Sequence, residues 1–212
     1  MEIITSTTID SWERFFRANF VNSLTGFKSV NLIGTADASG KTNLGIFSSI
    51  VHIGSNPPYI GYINRPVEAA PHTLTNIRET HLYTINHINP GFLEKAHQTS
   101  AKYPAEISEF DAVGLTPQYR NGITAPFVQE SKVKYALELE EIVPIKWNNT
   151  FLVIGRVLCV LLEDEIIASP DGYLHLDKVE TVCSNGMDGY YTTDLINRFT
   201  YAKPDKPVEK IR

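Results

Sequence analysis

The chain has 212 residues, with 19 Lys plus Arg against 24 Asp plus Glu and a formal net charge of −5. At 42% hydrophobic and 20% charged residues it can bury a core, so it is no disordered tail. Its acidic balance lacks the basic footprint of a dedicated nucleic-acid binder. The longest apolar run, residues 151–162, contains Arg156 and is too short for a bilayer, which needs ~20 apolar residues. The first residues lack the basic patch and apolar stretch of a signal peptide. With Cys159 and Cys183 alone, a disulfide scaffold or a Cys-ligated zinc site is not expected, and a reducing, cytoplasmic setting is the simplest reading.

Asp10-Ser11-Trp12-Glu13 reads as a capping box for a helix over residues 11–24. Trp12, Phe15, Phe16 and Phe20 follow at helical spacing, and Gly26 ends the element. That stripe reads first as packing on a sheet and second as docking a partner. Residues 30–36 are short and apolar, residues 37–40 form a turn, and residues 42–53 are extended up to a break at Asn56-Pro57-Pro58. A further strand follows over 59–63, which makes a meander. Residues 72–80 read as a short helix and 81–88 as a strand. Helical spacing recurs over 92–112, and the Gly and Pro residues of 114–131 predict a long ordered loop. Val133, Tyr135, Leu137 and Leu139 alternate with Lys134, Ala136, Glu138 and Glu140, a half-buried strand. Residues 151–162 read as a strand buried on both faces. The tail from Thr181 is expected to wrap another surface. At least six strands with inserted helices predict a mainly β, closed or nearly closed antiparallel barrel. Nothing reads as a linker, so residues 1–212 are expected to be a single domain, with an N-terminal helix and a C-terminal extension.

Several chemistries are absent from the sequence. Gly40-Lys41-Thr42 lacks the glycine that a phosphate-binding loop needs at position 35, where Thr35 stands. There is no Gly-x-Gly-x-x-Gly fingerprint and no Gly-x-Ser-x-Gly elbow. The histidines at 52, 72, 81, 87, 97 and 175 show no metal-binding spacing, so no metal is expected.

The segment from Asn43 to Pro58 carries more information. Core alternation accounts for Phe47 or Ile53, but not for Asn43, Ser48 and Ser49 in a strand that stops at Pro57-Pro58. Small polar residues there leave backbone amides approachable by a flat heterocycle. Arg65, then His72 and Thr73 at a helix start, would make a phosphate seat from a cation, a hydroxyl and free helix amides. Taken alone, Thr73 reads equally well as a simple N-cap.

On these residues the chain resembles the flavin reductase-like family of FMN-binding split barrels, over roughly residues 25–160. Asn43, Ser48, Ser49, Pro57 and Pro58 keep the order and spacing of that family's Asn…Ser-Ser…Pro-Pro segment. Arg65, Thr73 with Asn76 and Ile77, Ile85-Asn86-His87, and Ile154-Gly155-Arg156-Val157 match its later features. The resemblance implies a Greek-key split β-barrel that forms a homodimer, with FMN near the subunit interface. It implies that Asn43, Phe47, Ser48, Ser49 and Ile50 line the flavin, and that Arg65, His72 and Thr73 hold its phosphate. It also implies hydride transfer from NADH or NADPH to the flavin, for which no catalytic side chain is needed. The chain departs from the family pattern in three places. Ile46 stands at a common Thr position, Asn149-Thr150 at a common Asp-His pair, and the segment 184–191 at a shorter Gly-rich stretch. The last reads as a dimer brace or as part of the flavin site. Three functions follow: a flavin reductase, an FMN-binding electron carrier or cofactor holder without reductase activity, and a barrel that has lost its flavin.

Overall fold

The computed structural model describes residues 1–66, 71–163 and 168–211. In chain order the elements are α1 (Ser6–Ser11), α2 (Arg14–Leu24), β1 (Lys28–Ser29), β2 (Asn31–Ala36), β3 (Thr42–Phe47), β4 (Ile50–Ser55) and β5 (Pro58–Asn64). Then come α3 (Pro71–Thr80), β6 (Leu82–His87), α4 (Leu93–Gln98), α5 (Glu109–Val113), β7 (Pro117–Arg120) and β8 (Ile123–Val128). The long strands β9 (Val133–Ile145) and β10 (Thr150–Leu162) follow, and β11 (Cys183–Asn185) and β12 (Gly189–Tyr191) close the series.

The mainly β architecture rests on a seven-stranded antiparallel sheet in the order β3-β2-β6-β9-β10-β5-β4. Its two edge strands, β3 and β4, are neighbours in sequence, joined by Ser48 and Ser49. The sheet therefore rolls into a barrel whose seam falls between them. Strand β2 is buried along its whole length, because alternate residues serve two cores. Leu32 joins Val30, Leu44, Phe92, Phe110 and Val128, while Ile33 joins Tyr62, Leu74, Tyr83, Ile85 and Val153.

Five expectations need correction. The N-terminal segment forms two helices rather than one. Thr5 caps α1, and Glu13, not Asp10, caps α2 by accepting from the Phe15 and Phe16 amides at 2.8 and 3.2 Å. Trp12 is extended between the helices and meets Phe16 and Phe20 edge-on. No residue of α2 is buried, so its aromatic stripe does not pack on the sheet.

Residues 114–131 are not a plain loop but hold the β7–β8 hairpin, turned by Gly122 at φ +82°. Strand β8 lies across β2 and β6. Thr84 Oγ1 donates to the Pro126 carbonyl at 2.6 Å, and Asn86 Oδ1 accepts from the Val128 amide at 2.9 Å. A Cβ on Gly34 would collide with that same Pro126 carbonyl, so close approach requires glycine there.

Strand β9 does not begin by alternating, since its first five residues are all buried. Lys134 is fully enclosed. Its Nζ donates to the Val128 and Gln129 carbonyls at 3.2 and 3.1 Å and pairs with Glu163 at 2.7 Å. Strand β10 is not buried on both faces either. Its second half alternates, leaving Leu158, Val160 and Leu162 exposed. The C-terminal segment supplies β11, which pairs with β1, and β12, which pairs with β11, whereas Ile196 and Tyr201 beyond them are exposed.

Candidate functional site

The barrel seam opens into a cleft of about 490 Å³, within the usual range for small-molecule sites. One side is β3 and the Ser48-Ser49 link. The ladder between β2 and β3 ends at Phe47, and pairing resumes at Ile50, opposite Tyr62. Ser48 and Ser49 therefore stand outside both ladders. Ser49 gives its carbonyl to the Ile63 amide at 3.0 Å, which fixes the link against β5.

Of the residues singled out in the sequence, Asn43, Phe47, Ser48, Ser49, Arg65, His72 and Thr73 line this one cleft. Ile50 does not. It begins β4, packs against the core that holds Tyr62 and Tyr83, and is absent from the lining.

A buried hydrogen-bond net sets the floor. Asn43 Nδ2 donates to Thr35 Oγ1 at 3.2 Å and to Thr73 Oγ1 at 3.0 Å, and Asn76 Nδ2 donates to Thr35 Oγ1 at 3.1 Å. These bonds lock the first turn of α3 onto β2 and β3. Thr73 thus has a tertiary partner and is more than a local cap. Gly45 leaves room beside this net, because a Cβ there would lie 3.1 Å from the Phe47 ring and 3.6 Å from Thr73 Oγ1. Behind the cleft, Phe47 meets Tyr62 edge-on at 5.1 Å and Tyr62 meets Tyr83 at 5.9 Å, so the lining is continuous with the barrel core.

The electrostatics favour an anion near Arg65. Lys28 lies close by, with Nζ held by the Asn22 and Gly186 carbonyls at 3.1 and 3.2 Å. Burial, then the neighbouring Arg65 charge, pull its pKa below the usual lysine value. Lys102 adds a third cation to the surroundings. Glu109 is the acidic exception. Burial pushes its carboxyl up, while a 2.9 Å bond from the Leu44 amide and the nearby His72 oppose that shift. Glu109, Asn43 and His72 also line a smaller cavity of about 200 Å³ that reaches toward Asp37 and Lys41.

Several lining residues had no readable sequence signal. Glu109 lies in a polar stretch and His97 reaches the cleft only through tertiary packing, whereas Ser184 and Tyr190 fall in the segment 184–191, which reads from sequence as a dimer brace or as part of the flavin site. Among the described residues no group of three His, Cys, Asp or Glu side chains converges as a metal site would, and no helix is long and apolar enough to cross a membrane.

Comparison with known proteins gives this geometry a context. A split-barrel protein from Shewanella frigidimarina, assigned as a flavin reductase, is 46% identical, with a TM-score of 0.91 over 95% of this chain and all of that one. The 2-nitrobenzoate 2-nitroreductase of Pseudomonas fluorescens is 18% identical, with a TM-score of 0.81 over 97% of this chain and 98% of its own. Flavoredoxin of Desulfovibrio vulgaris is 23% identical, with a TM-score of 0.70 over 85% and 92%. The latter two similarities show the shared fold. The flavin reductase like domain matches residues 24–179, most of the chain, and the protein belongs to that family.

Proposed function

We propose that the cleft binds FMN and that the protein is a flavin-dependent oxidoreductase that takes electrons from NADH or NADPH. The observation that carries this reading is the convergence of Asn43, Phe47, Ser48, Ser49, Arg65, His72 and Thr73 on one opening in the barrel wall.

The residues present fit such a ligand. Ser48 and Ser49 leave the sheet where a planar ring with alternating donors and acceptors would need free backbone groups. Gly45 keeps the strand surface low beside them. Arg65 and Lys28 gather positive charge in a chain of net charge −5, and His72 and Thr73 open the ten-residue helix α3. A helix start and an arginine together suit a phosphate monoester.

Bound flavin would supply hydride and electron exchange. The chain's own groups then have three tasks. Arg65, His72 and Thr73 hold the anionic tail, the Asn43–Thr35–Thr73 net fixes the floor, and Phe47 backs the ring side with core packing. Hydride transfer asks for no acid or base at this point, so the absence of a catalytic side chain in the motif is consistent with the reading.

A second reading, an FMN-holding electron carrier, is favoured by one observation. Asn149 on the β9–β10 turn and Thr150, the first residue of β10, stand at the family pattern's common Asp-His pair and are absent from the cleft lining. The visible spectrum of the purified protein, followed by anaerobic titration with NADH and NADPH, separates the two. Reductase function predicts bleaching of bound FMN by one of the donors. A carrier shows bound FMN that neither donor bleaches, and a barrel without flavin shows no band in the blue.

We also read the whole chain as one domain that acts as a homodimer in a cytoplasmic setting. The exposed ridge of Leu158, Val160 and Leu162 on β10 supports a subunit contact.

A further inference from the structure

Part of the cleft lining comes from segments outside the ring and phosphate contacts assigned above, namely the end of α4 with the loop after it, and the β11–β12 hairpin. His97 of α4 and Tyr190 of β12 meet there, 93 residues apart in sequence. Tyr190 Oη and His97 Nδ1 are 2.7 Å apart, and their rings cross at 90°. The Tyr190 ring packs against the core cluster that includes Leu44 and Phe92, so its hydroxyl is held in place at the cleft. The His97 side chain reaches solvent.

Ser184 belongs to the same lining. Ser184 is 4% exposed, and its Oγ has no hydrogen-bond partner among the described residues. A buried hydroxyl without a partner is destabilising unless a ligand completes it. Met187 and Tyr103 add apolar and aromatic surface, and Lys102 adds positive charge. The segment 184–191 therefore belongs to the cleft and does more than brace a dimer.

We infer that this wall is the subsite for the electron acceptor, that the acceptor is a planar conjugated carbonyl compound such as an enone or a quinone, and that Tyr190, backed by His97, donates a proton to it. The inference rests on the flavin reading above. A conjugated carbonyl needs what the wall offers: the Tyr190 hydroxyl as donor for its oxygen and flat apolar surface for its ring. The acceptor gains one hydride equivalent from reduced flavin, which NADH or NADPH has charged. The hydride forms a new carbon–hydrogen bond on the acceptor as one carbon–carbon or carbon–oxygen π bond breaks, and negative charge collects on the carbonyl oxygen. The Tyr190 O–H bond breaks and a new O–H bond forms on the acceptor. The phenolate left behind takes a proton relayed from solvent through the His97 ring, whose Nδ1 is its hydrogen-bond partner.

Burial, then Asp188 on the same hairpin, hold the Tyr190 hydroxyl protonated beyond the usual tyrosine range. The other titratable groups around it are His97 on α4, Lys102 and Tyr103 in the loop, Glu109 on α5, and Lys28, which bonds to the Gly186 carbonyl.

The test uses FMN-loaded protein reduced anaerobically and mixed with 2-cyclohexen-1-one or 1,4-naphthoquinone across pH 5–10. Tyr190→Phe should slow acceptor reduction on the order of 10²-fold or more and flatten its pH profile. It should also weaken binding of 4-nitrophenol to the oxidised protein, read from the probe's absorbance, by about tenfold. His97→Gln, altered at a solvent-reaching side chain, should fold even if Tyr190→Phe does not, and should shift the pH profile. An unchanged rate, pH profile and 4-nitrophenol affinity in folded, FMN-loaded variants would overturn the proton-donor assignment and leave the flavin reading standing. Wild-type protein that takes up no FMN would overturn the flavin reading and this inference with it.

Discussion

Gly155 sits in β10 at a register shift, and its missing side chain is filled by Tyr83. A Cβ added there would collide with Tyr83 Oη, would lie 2.9 Å from Cζ of the same ring, and 3.0 Å from Leu137 Cβ. Both obstacles are buried, so neither can swing into solvent. Forcing one methyl into such packing costs about 1–3 kcal/mol. An unfolding entropy of about 2.1 cal/mol/K per residue gives about 0.45 kcal/mol/K for 212 residues. Gly155→Ala should therefore lower Tm by about 2–7 °C in calorimetry of the flavin-free protein. Tyr83 Oη has no hydrogen-bond partner among the described residues, so Tyr83→Phe alone should be neutral or slightly stabilising. The double variant should recover part of the loss, because Cζ still lies close after Oη is gone. Displaced, Tyr83 presses on Tyr62 and through it on Phe47, so FMN affinity should also fall in the single variant. A Gly155→Ala protein with unchanged Tm, or a double variant no better than the single, would refute this packing argument.

Other outcomes follow from the same structure. Arg65→Ala should weaken FMN binding about tenfold, below the full strength of a charge-assisted bond because Arg65 is exposed; fluorescence titration measures it, and unchanged affinity in a folded variant removes Arg65 from the phosphate seat. Lys134→Met should cost roughly 2–3 kcal/mol in urea unfolding, since two buried carbonyls lose their donor while Glu163 remains partly solvated; a neutral result would mean that water or relaxation replaces the lysine. Burial lowers the His87 pKa to about 4, and its Nδ1 has no hydrogen-bond partner among the described residues. The unfolded chain then binds the extra proton first, so stability should fall by up to roughly 3 kcal/mol as pH drops from about 6.5 to 4; His87→Leu should flatten that slope, and a slope unchanged by the substitution would exclude His87 as its source. If FMN spans a dimer seam, dilution should release flavin and split the dimer together; a flavin-loaded monomer by light scattering would contradict this.

The floor of the site was readable because its chemistry conflicts with ordinary strand packing. Asn43, Ser48 and Ser49 interrupt a run that core alternation would fill with apolar residues: Asn43 bonds Thr35 and Thr73, and the β2–β3 ladder ends at Phe47, before the two serines. Ile50 was misplaced because two residues without ladder partners precede it. Pairing restarts there opposite buried Tyr62, which turns the side chain to the core. Alternation also failed at Lys134. Its partners come from Val128 and Gln129 at the end of the β7–β8 hairpin and from Glu163 beyond β10, and no local pattern encodes that meeting. The hairpin itself was hidden by Gly122 and Pro126, which read as breakers but serve as its turn and as the carbonyl that receives Thr84. His97 was unreadable for a related reason, because only the folded barrel brings α4 to Tyr190 of β12.

A crystal structure of the protein grown with excess FMN tests the central claim most directly. The account predicts electron density for the ring system along Asn43–Ser49 and for the phosphate between Arg65 and the start of α3. Density for FMN elsewhere, or a cleft filled by the protein's own side chains at saturating ligand, would contradict it.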